Sequence, residues 1–242
     1  MYGRLRRERM KFENTEVWGF EHALRGMRNP MNSHDKGDSG RNYDLLNGCR
    51  IDCPYLNTDC DEEHCDEYTI GSNDMKLAQT LIKAGTEHCK FMRMIHVAVD
   101  VDMPRYWWSE TDTYHFNTKN SCSTMHKLLN NNNPIILDMF VICEEDMDWW
   151  IDTVNRLELM RQEYKKAQKT KDSDTMNRLL IRAKRMLPEG FEQMRTWDTN
   201  YAELRNMYFQ RRHHKLKEEW VDTFCKWVET LPYAKELIMY EG

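Results

Sequence analysis

From Met94 to Val101 a β-branched apolar residue stands at every second position. Ile95, Val97, Val99 and Val101 alternate with Met94, His96, Ala98 and Asp100. Successive side chains of a strand point to opposite faces, so this period of two predicts a β-strand with one wholly apolar face. Such a face has to be covered by another layer. The covering material lies downstream, where the chain from about Glu145 onward reads as helices. Trp149, Trp150, Thr153, Val154, Leu157 and Tyr164 form one stripe. The segment "DSDTMNRLLIRAKRM" opens with capping residues and stops at Pro188. Tyr201, Leu204 and Tyr208 mark a further helix. Trp220, Val221, Phe224, Trp227 and Val228 mark a last long one. No internal repeat and no linker of distinct composition interrupts the chain. The expectation is one α+β domain over residues 10–242, preceded by a basic extension at 1–9.

Upstream of the strand, "MKFENTEVWGF" has strand-like patches and "EHALRGM" looks helical. Residues 29–43 are rich in Gly, Asn, Asp and Ser and read as a loop. With so few apolar residues to pin it, that loop is expected to be mobile until a ligand binds. Residues 48–73 read as irregular. Then "SNDMKLAQTLIKAG" is a helix, with Ser72, Asn73 and Asp74 offering N-caps and Gly85 at the position after its end.

At 242 residues the chain is long enough to bury a sizeable core. Its net charge of −5 gives no basic footprint for duplex nucleic acid. No run of apolar residues is long enough for a transmembrane helix, and the N-terminus lacks the apolar region of a signal peptide. A cytoplasmic protein with its 8 cysteines reduced is expected. There is no GxGxxG, P-loop, HExxH or GxSxG motif. Cys49, Cys53, Cys60, His64 and Cys65 have spacings that a zinc site tolerates, yet they lack knuckle glycines and sit in an acidic run that also reads as a solvated loop. No metal is assigned.

The stretch "TYHFNTKNSCSTMH", residues 113–126, is a polar loop close behind the strand. It holds hydroxyls, amides, two histidines and a cysteine, but a single firm charge, Lys119. Together with "LIKAGTEHCKFMRMIHVAVDVD" before it, it resembles the flavin-dependent thymidylate synthase family. That family carries Glu-His ahead of its strand, matched by Glu87 and His88. After the strand it carries a signature of Arg-His-Arg, two residues, Ser, one residue, Asn, two residues, Ser, one residue, Arg. Asn120 and Ser123 match the asparagine and second serine, and Thr118 replaces the first serine. Thr113, Tyr114 and His115 stand in place of Arg-His-Arg, and Met125 in place of the last arginine. Downstream, Leu187 and Pro188 match a Leu-Pro that ends an Arg-containing segment, and Asn200, Arg211 and Glu219 keep the family's spacing.

The resemblance implies an antiparallel sheet with helices packed on it and a largely helical C-terminal half. It implies FAD, held by Glu87, His88, His115, Thr118, Asn120 and Asn200. It implies a pyrimidine deoxynucleotide, held by Glu110, Ser123, Lys184, Arg185 and Arg211. It implies NADPH and a methylene folate as co-substrates, transfer of a methyl or hydroxymethyl unit to C5 of the pyrimidine, and a homo-oligomer, of four chains by family precedent. No side-chain nucleophile is assigned, because the cofactor carries the hard chemistry. Arg93, Arg105, Lys119, Lys127, Lys184 and Arg185 are the cations available to replace the missing arginines. A chain without those arginines also suits a protein that sequesters a nucleotide without turning it over.

Overall fold

The structure is a computed structural model. It describes residues 10–41, the backbone of 43–44 and 48–49, and residues 68–242. The N-terminal extension and, but for the backbone of Cys49, the cysteine and histidine cluster lie outside the described residues. The fold is α+β with an antiparallel sheet. Its four strands are β1 (Lys11–Trp18), β2 (His96–Pro104), β3 (Thr118–Ser121) and β4 (Glu192–Asn200), in the order β1-β2-β4-β3. The helices are α1 (Phe20–Arg28), α2 (Ser72–Ala84), α3 (Arg105–Thr111), α4 (Thr124–Lys127), α5 (Met147–Thr170), α6 (Ser173–Met186), α7 (Tyr201–Arg211) and α8 (Lys226–Glu229). The described residues form two compact units, one of 10–14 with Val99–Trp197 and one of 15–98 with Asp198–Gly242.

In the first unit, Val99, Val101 and Met103 of β2 are buried as the alternation predicts. Trp107 and Trp108 of α3 are wholly buried in the same unit. Trp107 packs edge-on against Phe12 of β1 and Trp197 of β4, with ring centres 6.2 and 6.3 Å apart. The Trp108 indole donates to the Gln193 carbonyl at 2.8 Å. Strand β4 corrects the reading of everything after Glu145 as helical. Its core-side positions are Gln193, Arg195, Trp197 and Thr199, so only one of them is apolar and no hydrophobic alternation betrays the strand. Arg195 earns its place by stacking 4.4 Å above Trp108 and pairing with Asp112 at 3.2 Å.

Helices α5 and α6 pack antiparallel on a cluster that includes Leu157, Met160, Leu179, Ala183, Phe140 and Ile135. Asp172 caps α6, its carboxylate accepting from the Thr175 amide at 3.1 Å. Of the tryptophan pair on α5, Trp150 is buried and Trp149 is 55% exposed. Neighbours on a helix point about 100° apart, so one face cannot take both.

In the second unit α1, α2, α7 and the C-terminal turns pack together. Phe20 meets Tyr201 and Tyr233 edge-on, at 5.6 and 5.7 Å. The Tyr201 hydroxyl donates to the Pro232 carbonyl at 2.6 Å, and burial pushes its phenol well above the ordinary value. The expected last long helix is a π-helical segment, Glu218–Cys225, followed by α8. The described part of the 29–43 loop is tied down rather than loose. Two short turns, Asn29–Met31 and His34–Lys36, lead to Asp38, whose carboxylate accepts from the amides of Asn73 at 2.8 Å and Asp74 at 3.0 Å. The N-terminus of α2 is therefore capped from the loop, not by Ser72, Asn73 or Asp74. Gly71 is required beside this cap, because a Cβ there would lie 2.2 Å from the Asp38 carboxyl carbon.

Candidate functional site

The first unit contains a cleft of about 560 Å³. One side is sheet: Lys11 of β1, Asp102 of β2, and Glu192, Gln193 and Met194 of β4. Facing it are Cys122, Ser123 and Thr124, where β3 turns into α4, with Lys127 and Leu128 beyond. Asn131, Asn133, Ile135, Asp138 and Met139 line a further wall, with Met10 and Phe191.

Each wall has a local cause. The Cys122 amide donates to the Met194 carbonyl at 2.9 Å and the Gln193 side chain donates to the Cys122 carbonyl at 2.7 Å, which fixes the exit of β3 against β4. Ser123 then caps α4, its hydroxyl accepting from the His126 amide at 3.3 Å. Lys184 of α6 donates to the Thr124 hydroxyl. Burial, and then the charge of Arg105, lower the pKa of the Lys184 ammonium. The asparagine loop is held by α5: Lys165 donates to the Asn130 carbonyl at 2.6 Å and Arg161 to the Asn131 carbonyl at 2.9 Å. Glu158 accepts from Arg161 and from the Ile135 amide, each at 2.8 Å, and its carboxyl is held down at about 2.

Two acids on the outward face of β2 differ sharply. Asp100 accepts from the Thr196 hydroxyl at 2.6 Å and the Asn14 side chain at 2.9 Å, which hold it below the ordinary carboxylate range. Asp102, one step further along the same face, opens into the cleft and receives no hydrogen bond from the described residues. Burial pushes its carboxyl up, against the opposing charge of Lys11.

Of the residues singled out from sequence, Ser123 lines this cleft and Lys184 meets its wall. His115, Thr118 and Asn120 are exposed and Glu110 is half-buried, in the same unit but not on the cleft lining. Arg185 lies on an outward face of α6 with Arg178 and Arg182. In the second unit Glu87 and His88 are exposed. Asn200 is buried and caps α7, accepting from the Glu203 amide at 3.0 Å. Arg211 stacks 4.3 Å above Trp220 and meets His214 at 2.9 Å. Among the cations expected to replace the arginines, Lys127 lines the cleft. Lys119 is held by Asp112 at 3.1 Å and Arg105 by Glu189 at 3.1 Å. Sequence reasoning missed Lys11, Asp102 and Glu192 as cleft residues. The alternation of β2 did carry a signal for Asp102, since it sets this acid on the polar face. Among the described residues no group of three potential ligands gathers around a metal position, and no helix is long and apolar enough to cross a membrane.

No family model matches the chain, and no curated protein matches it by sequence. Solved structures do. Thymidylate synthase X from Helicobacter pylori, solved with FAD and dUMP, superposes with a TM-score of 0.61 at 14% identity over 96% of this chain and 97% of its own. The fold is that of the flavin-dependent thymidylate synthases. A second structure of the Helicobacter pylori enzyme, complexed with FAD and dUMP, gives 0.58 at 13% identity over 96% and 98% of the two chains. The UMP/dUMP methylase PolB from Streptomyces cacaoi, bound with 5-Br dUMP, gives 0.55 at 13% over 95% and 94%. At these identities the likeness is one of fold, and the side chains of the cleft are this chain's own.

Proposed function

We propose that this chain transfers a one-carbon unit, methyl or hydroxymethyl, to C5 of a pyrimidine nucleotide, with FAD as its cofactor and NADPH and a methylene folate as co-substrates. The observation that carries the reading is the junction at Ser123 and Thr124. Here a polar turn, a capped helix start and the Lys184 ammonium meet on a cleft of about 560 Å³, within a fold whose solved examples hold dUMP. Ser123 and Thr124 supply hydroxyls, and Lys127 and Lys184 supply the positive charge that a phosphate needs. Leu128, Ile135, Met139 and Phe191 give the apolar lining that a flat heterocycle occupies.

Of the residues implied for FAD, none lines this cleft, and the flavin enters this proposal through the solved structures that share the fold. A protein that holds the nucleotide without turning it over is the second reading. It is favoured by Thr113, His115 and Met125 standing where the family carries arginine. Reconstitution separates the two. The protein is incubated with FAD, NADPH, methylene folate and a uridine nucleotide, and the product is weighed by mass spectrometry. A methylated or hydroxymethylated nucleotide supports the enzyme. Tight nucleotide binding without product, and without a retained yellow chromophore, supports sequestration.

A further inference from the structure

We infer that Asp102 selects a ribonucleotide, its carboxylate accepting from the vicinal 2′- and 3′-hydroxyls of the ribose. This inference rests on the proposed pyrimidine nucleotide site and names the sugar it takes.

The sheet side of the cleft carries Asp102 and Glu192, Asp138 adds a third carboxylate on the remaining wall, and the turn side carries Ser123, Thr124 and Lys127, with Lys184 on Thr124. A phosphate dianion is repelled by the first side and drawn to the second, which orients the nucleotide. Lys11 does not reverse this, because it is paired with Glu13 at 2.6 Å. The sugar or the base is then left to face Asp102. A uracil edge presents one N–H between two carbonyl oxygens, and both carbonyls oppose a carboxylate. A ribose diol presents two hydroxyl donors side by side, which a carboxylate with both oxygens available accepts together.

The contrast with Asp100 shows that the availability is specific. Asp100 is filled by Thr196 and Asn14, whereas Asp102, on the same face of the same strand, takes no hydrogen bond from the described residues and opens into the cleft. Carboxylate recognition of a ribose hydroxyl has precedent in dinucleotide-binding folds. A 2′-deoxy sugar removes one of the two donors and leaves part of the carboxylate desolvated against carbon.

Calorimetric titration of the full chain with UMP and with dUMP, with and without FAD, tests this. The expected result is UMP binding tighter than dUMP by about tenfold, the scale of one hydrogen bond to a charged group. Asp102→Ala should erase the difference by weakening UMP while leaving dUMP within about twofold. Asp102→Asn, which keeps the shape and one acceptor, should fall between, and a melting curve of each variant confirms folding. Equal binding of both nucleotides by the parent, tighter dUMP binding, or a UMP preference that survives in Asp102→Ala overturns the assignment and leaves the pyrimidine reading standing. Failure of the parent to bind either nucleotide overturns both.

Discussion

The guanidinium of Arg28 donates to the Asp74 carboxylate at 2.6 Å, and both side chains are almost wholly buried. The second oxygen of Asp74 accepts from the Ser39 hydroxyl at 2.6 Å and from the amides of Asp38 and Ser39 at 3.1 and 3.0 Å. Burial alone would raise this carboxyl, yet the hydrogen bonds from Ser39 and Arg28 hold it below its ordinary value. One charge pair thus ties the end of α1, the 33–39 loop and the start of α2. Breaking it leaves an uncompensated buried charge, so Arg28→Ala should cost about 3–5 kcal/mol in denaturant unfolding. Hydrogen exchange at the Ser39 amide should rise in step. Slow exchange at Ser39 in the variant would show that something other than this pair holds the loop.

Glu158 offers a test by pH. The Arg161 hydrogen bond is the main reason that its carboxyl sits at about 2 instead of the usual 4.5, with the Ile135 amide and Gln162 adding to it against the cost of burial. The folded value lies below the unfolded one, so the stabilisation is complete above 4.5 and is lost as pH falls toward 2. Glu158→Gln should be less stable than the parent by about 1–3 kcal/mol near neutral pH. The two unfolding curves should converge in acid. A gap that stays constant across that range would refute the role given to the charge.

How far the sequence could be read depended on which faces were apolar. Strand β2 and helix α6 were open to reading because Val97, Val99 and Val101 alternate and Asp172 stands at a cap position. Strand β4 was hidden because its core face is built from Arg195 and Gln193 as much as from Trp197, and the apolar partner of Arg195 is a tryptophan from α3. The cap on α2 was hidden because Asp38 reaches it from across a loop, a pairing that no local pattern encodes. The cleft divides in the same way. Ser123 and Lys184 stand out by resemblance, whereas Asp102, Glu192 and Lys11 come together only when strands distant in sequence pair.

The association state makes a further prediction. Helix α5 exposes Trp149 at 55%, Ile151 at 40% and Leu159 at 58%, large apolar side chains that water does not favour. A homotetramer, proposed from the family resemblance, would cover surface of this kind. Light scattering should return a mass above that of one chain, and Trp149→Glu should lower it. A monomer at every concentration in the parent would remove the oligomer from the account.

The last prediction separates phosphate contact from ring contact. Ser123 caps α4 and lines the cleft, whereas Ser121 is exposed at the end of β3 and does not line it. The 3.3 Å cap bond serves a helix of four residues, so Ser123→Ala should cost about 0.5–1 kcal/mol in stability. It should also weaken binding of a uridine nucleotide by about 1 kcal/mol, roughly fivefold. Ser121→Ala should leave both nearly unchanged. Lys184 is argued to face the phosphate, because it is the ammonium that meets the Thr124 hydroxyl at the cleft wall. Lys184→Met should therefore weaken a uridine monophosphate by about tenfold to a hundredfold, the scale of a charged hydrogen bond, and leave the nucleoside uridine untouched. Calorimetry with both ligands on all three variants reads these differences directly. If Lys184→Met weakens nucleoside and nucleotide alike, the lysine shapes the wall and does not hold the anion. If Ser121→Ala and Ser123→Ala bind alike, the turn at 122–124 is an ordinary connection from β3 to α4.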